Sequence, residues 1–254
     1  VFDSVSVRRG ETTLISDVSW QVGSDERWAL LGPNGSGKTT CLNIAGAQMH
    51  PTSGKARVLG NLLGRVDVRE LRSRISYVSA AVARQLANEF SVGEVVLTGK
   101  ESTLVPRWNK VTVEDEELVA RILSRLEMLH LKNRGFGVIS DGERQQTLLG
   151  RALMGQPEMM LLDEPFAGLD MGARERLMGR LEHVYSVTKG AIVLVTHHME
   201  EIPPGTTHVG LMRGGSMIAS GPVGDVLTSE SLSETFGLAL ELSTSGRRWW
   251  CAAK

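Results

Sequence analysis

The run Gly32-Pro33-Asn34-Gly35-Ser36-Gly37-Lys38-Thr39 has the residue types and spacing to hold a chain of phosphates. Its glycines let successive backbone N–H groups curl around an anion, and a helix starting there directs its positive end at the same point. Lys38 can then reach the outer phosphates and the Thr39 hydroxyl a magnesium ion, which makes ATP or GTP the first candidate ligand. A glycine turn that only caps a helix is the bland alternative. The setting favours the loop, because Trp28 to Leu31 is an apolar strand before it and Thr40 to Ala47 reads as helix after it.

Further along, Met159-Met160-Leu161-Leu162-Asp163-Glu164-Pro165 is an apolar strand ending in two carboxylates. That order suits an Asp holding magnesium and a Glu polarising a water. Ile139-Ser140-Asp141-Gly142-Glu143 opens a helix, Ala167-Gly168-Leu169-Asp170 follows the carboxylates, and Val195-Thr196-His197-His198 ends the next strand. Ser140 and Glu143 also form a capping-box pattern, so a purely structural reading is that they start a helix. His197 falls at the carboxyl end of a buried strand, where wound α/β folds bind ligands. Adjacent His198 is expected to point elsewhere if the strand still alternates.

These residues need a frame. Apolar alternation between Val5 and Val22 predicts a small β region ahead of the loop, and short strands are expected at Ala56 to Leu59 and Ile75 to Ser79. From about Ser91 to Leu131 the period becomes helical, with Val92, Val95 and Val96 on one face and a capping box at Thr112 and Asp115. After Ser140, helix and strand alternate: helix to Met154, strand Met159 to Leu162, helix Asp170 to Thr188, strand Ala191 to Thr196, and two strands around Gly214-Gly215. The expected fold is α/β, a phosphate-loop NTPase core on a mainly parallel sheet, with an N-terminal antiparallel β subdomain and a helical insertion. Residues 1–225 read as one cassette: 1–27 the β region, 28–85 and 139–225 the nucleotide-binding core, 86–138 the helical subdomain. Residues 226–254 read as a weakly patterned extension in which Arg247-Arg248-Trp249-Trp250 frays more readily than it docks.

Composition removes several function classes. At 254 residues with a net charge of −1, the chain has no global field to attract a polyanion, so no nucleic acid is expected. Cys41 and Cys251 have no metal-ligand spacing, and no apolar run approaches the ~18 residues that span a bilayer; no signal peptide is expected either.

In their order and separation these motifs resemble the ATP-binding cassette family over about Val1 to Asp225. The resemblance implies an ATPase in which two copies sandwich two nucleotides, each held by the phosphate loop of one subunit and the Ser140–Gly142 signature of the other. Gly32, Pro33, Asn34, Gly35, Ser36, Gly37, Lys38, Thr39 and Thr40 would cradle ATP, and Thr39 and Asp163 would hold Mg2+. Glu164 would orient the attacking water, His197 would act on the γ-phosphate, and Asp170 would cross the dimer interface. It further implies integral-membrane permease partners and a place on the cytoplasmic face of the cell membrane. Import is implied over export, similar to ATPases of metal, iron-complex or molybdate uptake. A soluble switch of the same family is the alternative.

Three positions depart from the family pattern. Ala80 stands where a glutamine usually follows the strand Ile75 to Ser79, and Gln85 is expected to lie too far along to replace it. Asp141 replaces the first signature glycine and is expected to turn outward, toward helix amides or a basic group. The aromatic residue that usually stacks on adenine is absent, and Arg9 in the turn Val7-Arg8-Arg9-Gly10 is its candidate replacement, a guanidinium plane being able to stack on a base.

Overall fold

The computed structural model describes residues 1–105 and 111–254; residues 106–110, part of the expected helical stretch, lie outside the described residues. Strands β1 (Phe2–Arg9) and β2 (Thr12–Trp20) form an antiparallel hairpin. Buried and exposed positions alternate along them, as a sheet with one covered face requires. β3 (Arg27–Leu31) belongs to a second sheet and leads into α1 (Lys38–Ala45). β4 (Ser53–Val58) and β5 (Asn61–Leu62) return to the first sheet, whose order is β2-β1-β4-β5.

The chain continues through α2 (Val68–Ser73), β6 (Ile75–Ser79), α3 (Ala80–Gln85) and α4 (Val92–Leu97) to α5 (Val113–Arg125) and α6 (Asp141–Met154). Then come β7 (Met159–Asp163), α7 (Met171–Val187), β8 (Ala191–Thr196), β9 (His208–Arg213) and β10 (Ser216–Pro222). The second sheet has the order β10-β9-β3-β8-β7-β6, parallel except for β10 at its edge. Every residue of β3 and of β8 is buried, the pattern of strands covered on both faces.

Alternation along these strands divides the core. Met160, Leu162, Ile192 and Leu194 face the helical side with Val95, Val96, Leu123, Leu126 and Leu148. Leu161, Val193 and Val195 face α1 and the first sheet through Leu42, Ile44, Val5 and Val18. Register then aligns the strand ends: Ser79 lies beside Asp163, Asp163 beside Val195, and Leu31 beside Thr196. The residues that follow, the glycine loop, Ala80, Glu164 and His197, therefore leave the sheet along one edge, where wound α/β sheets place their ligands.

The C-terminal residues overturn one expectation. Arg247–Trp250 does not fray: α8 (Val223–Val226) and α9 (Ser229–Phe236) are followed by a hairpin of β11 (Leu240–Ser245) and β12 (Arg248–Ala253). Leu240, Leu242, Trp249 and Cys251 pack against a third cluster formed by Leu31, Val209, Leu211, Leu227 and Leu232. Arg248 binds Glu175 on α7 at 2.6 Å and donates to the Glu200 carbonyl at 2.6 Å, and Arg247 reaches Glu182 at 2.6 Å. A basic pair read as a solvated end therefore joins the hairpin to α7. Removing residues 238–254 should cost ~2–4 kcal/mol, mostly lost apolar burial. A melt should fall by roughly 5–10 °C; an unchanged melting temperature would show that the hairpin is not docked in solution.

Candidate functional site

The loop between β3 and α1 depends on glycine at two places. Gly32 has φ +150° and Gly37 φ +100°. An added Cβ would lie 2.1 Å from the Met212 carbonyl oxygen at the first and 2.5 Å from Ile15 Cγ2 at the second. Lys38, the first residue of α1, is only 4% exposed. Its Nζ donates to the carbonyls of Gly32 at 2.7 Å and Pro33 at 2.9 Å, folding the ammonium onto its own loop. Burial lowers its pKa, opposed by the charges of Glu164 and Asp163.

Across the loop stands the end of β7. Thr39 Oγ1 donates to Asp163 Oδ1 at 3.2 Å, and the Tyr77 hydroxyl donates to Asp163 Oδ2 at 3.2 Å. Burial pushes the Asp163 carboxyl up, against those two hydrogen bonds and the Lys38 charge, with Glu164 adding to the rise. Tyr77 escaped the sequence reading, although a tyrosine on the strand paired with the carboxylate strand was the available signal.

Glu164 holds a left-handed backbone, φ +48°, rare for a residue with a side chain. Its N–H donates to the Val195 carbonyl at 3.0 Å, and its Oε1 lies 3.3 Å from His197 Nδ1. His198 does not diverge from His197: β8 ends at Thr196, so strand alternation no longer applies, and the two rings lie tilted with centroids 4.1 Å apart.

A cavity of about 950 Å³ joins these groups. Asn34, Gly35, Ser36, Gly37, Lys38, Thr39 and Thr40 line it with Asp163, Glu164 and Tyr77. Gly32 and Pro33 stand behind it, holding Lys38 by their carbonyls. His197 lines an adjoining recess of about 180 Å³ that shares Glu164 and Ala167 with the cavity. Arg9 is exposed at the end of β1 and outside this lining, to which the hairpin contributes Thr12, Thr13 and Leu14. Gln85 lies nearer to these groups than an extended chain would carry it. The residues after β6 coil into α3 instead of running extended, a rise of ~1.5 Å per residue, and Gln85 lines the cavity.

The remaining candidates gather elsewhere. Ser140 caps α6, its hydroxyl accepting from the Glu143 N–H at 3.3 Å while Glu143 Oε2 accepts from the Ser140 N–H at 2.7 Å. Asp170 caps α7 by accepting from the Ala173 N–H at 2.7 Å. Between them Gly142 is buried, and a Cβ there would come within 2.8 Å of Ala173 Cβ, so the two helix starts abut. Asp141 is 80% exposed and turned toward Arg144 at 3.6 Å, outward as expected. Neither Ser140, Gly142 nor Asp170 lines the 950 Å³ cavity.

The Ser140 hydroxyl, and then the Ser140 N–H, hold the Glu143 carboxyl below the usual carboxylate range. A depressed acid stabilises the fold above its unfolded pKa, and that contribution is lost as pH falls through the folded value. Ser140→Ala should therefore cost about 1 kcal/mol near neutrality. The gap from the parent chain should narrow below about pH 4. Paired thermal melts at the two pH values would show it, and a gap independent of pH would refute the link.

The family profile described as "ABC transporter" matches residues 15–167. An uncharacterized ABC transporter ATP-binding protein of Bacillus subtilis, YlmA, is 36% identical over 92% of this chain and 89% of its own. The sulfate/thiosulfate import ATP-binding protein CysA of Escherichia coli is 32% identical over 82% of this chain and 56% of its own length. Among solved structures, a metal-chelate type ABC transporter in an inward-facing conformation superposes with a TM-score of 0.78 at 23% identity, over 98% of this chain and 94% of its own, a likeness of fold.

Proposed function

Because the chain belongs to the ABC transporter family and is one of its ATP-binding, ATP-hydrolysing subunits, we propose that it works as a head-to-tail homodimer closing on two ATP molecules. The observation that supports this most is the division of the candidate residues. One chain carries a phosphate cavity at its sheet edge and, apart from it, a capped helix start at Ser140 beside Asp170. A helix N-terminus is a phosphate-binding group. A second copy, turned about a twofold axis, brings its Ser140 segment over the first copy's cavity.

In this reading Lys38 leaves the Gly32 and Pro33 carbonyls for the β- and γ-phosphates, and the N–H groups of Gly35 to Thr40 surround the rest of the chain. Thr39 Oγ1 and Asp163 Oδ1, 3.2 Å apart, are the oxygen pair that would hold a hard cation such as Mg2+. Bound Mg2+ supplies charge neutralisation to the phosphates. Glu164 accepts hydrogen bonding from the attacking water, while His197, 3.3 Å away, faces the γ-phosphate and holds the Glu164 carboxylate in place. Asp170 lies on the shared face, where it reaches the partner copy.

The chain's own role in transport is to power separate permease subunits from the cytoplasmic side of the membrane; among the described residues no helix is long and apolar enough to cross a bilayer. Import is the direction favoured, as in CysA. The cassette division proposed is residues 1–27, 28–85 with 139–225, and the helical 86–138, followed by 226–254. No observation favours the soluble switch.

The test is Ser140→Arg, which places bulk and charge on the shared face and leaves the cavity alone. ATP binding should persist while phosphate release falls at least ~100-fold, since preorganised groups at the transferring phosphoryl group are removed. Turnover in the parent should also rise faster than linearly with chain concentration. A Ser140→Arg chain that hydrolyses ATP at the parent rate would overturn the two-copy site.

A further inference from the structure

Helix α3 spans only Ala80–Gln85, yet its faces differ. Val82 and Ala83 pack on the core of the helical side, and Leu86 just beyond is buried. Ala80, Ala81, Val82, Arg84 and Gln85 line the phosphate cavity, Val82 touching both the cavity and the core. Within that set Ala80 and Arg84, and Ala81 and Gln85, lie one turn apart and share a helical face. The alanines of the first turn are too short to fill the space, so the long side chains of the second turn have room to enter it.

The position of α3 follows from the sheet. It leaves β6 directly after Ser79, whose hydroxyl accepts from the Val82 N–H at 3.3 Å and caps it. Ser79 pairs in register with Asp163, the carboxylate that meets Thr39. The helix therefore starts at the end of the cavity where Thr39 meets Asp163. Asp163 and Glu164 give that end two carboxylates; among the described residues Arg84 makes no hydrogen bond or ion pair with either, or with any other group, and it is exposed. A guanidinium so placed, planar and always charged, is built to meet phosphate oxygens.

We propose that Arg84 is a specificity-determining residue that recognises the terminal phosphate of ATP, with the Gln85 amide beside it, so that α3 distinguishes triphosphate from diphosphate. The inference rests on the nucleotide reading above and adds to it the group that reads the third phosphate.

The experiment compares Arg84→Ala and Arg84→Lys with the parent chain by fluorescence titration with N-methylanthraniloyl ATP and ADP, with magnesium present. Arg84→Ala should weaken ATP binding about tenfold, in line with a charge-assisted hydrogen bond in a partly solvated site. ADP binding should stay within about twofold of the parent, and Arg84→Lys should recover part of the loss. Arg84 is exposed, and an unchanged circular-dichroism melt confirms that the variant folds. Equal weakening of both nucleotides, or of neither, overturns the assignment of the terminal phosphate to Arg84 while leaving the nucleotide site intact. A parent chain that binds neither nucleotide overturns that site instead, and Lys38→Ala is the control that tells these results apart.

Discussion

Glu164→Gln is expected to bind ATP about as tightly as the parent chain and to hydrolyse it at least ~100-fold more slowly, the range in which a positioned general base contributes. The substitution keeps the length and shape of the side chain and removes only its basicity. Glu164 holds its left-handed turn through a backbone bond to Val195, which glutamine retains. The amide oxygen can still face His197 Nδ1, 3.3 Å from Glu164 Oε1 in the parent chain. With hydrolysis stopped, ATP should stay in place and hold two copies together, so size-exclusion chromatography with ATP should show a dimer absent with ADP. Phosphate release within a fewfold of the parent would remove Glu164 from its role.

Lys38→Ala should act at the earlier step. The ammonium is the only cation on the loop, buried at 4% exposure and tied to two carbonyls of its own turn. Its charge opposes the phosphates in the ground state as well as in the transition state, so its removal should weaken binding itself, by about 100-fold or more for a charge-assisted contact to phosphate. In the absence of nucleotide the fold should change little. Alanine gives up two hydrogen bonds, but it also ends the burial of a charge that already lowers the lysine pKa. A thermal-shift titration separates these effects: ATP at a hundred times its dissociation constant raises parent stability by about 2.7 kcal/mol, and at the same concentration should leave Lys38→Ala near its ligand-free melt. A variant stabilised as strongly as the parent would place the phosphates elsewhere.

Much of this site could be read from the chain because its groups are contiguous with strand ends. Leu31, Ser79, Asp163 and Thr196 each end a buried apolar run, and alternation and length alone locate such runs. Ser140 and Thr112 were equally legible, each being a short polar residue three positions before the acid that completes its capping box. What escaped was set by distance in space. Gln85 entered the cavity because six residues coiled; their alanines favour helix, but so short a run has too few turns for periodicity to mark a face. His198 was misplaced because the strand ended two residues before it. The hairpin at Arg248 was misread because its partners, Glu175 and Glu200, lie far back in the sequence. Tyr77 was overlooked for the same reason, since its link to Asp163 spans 86 positions.

The left-handed turn at Glu164 sets durability against work at a single codon. An L side chain in that conformation costs roughly 1–2 kcal/mol, and glycine, which escapes it, forfeits only about 0.5–1 kcal/mol through its freer unfolded chain. The change most favourable to a longer-lived fold at position 164 is thus the one that, in the proposed mechanism, removes the group orienting the attacking water.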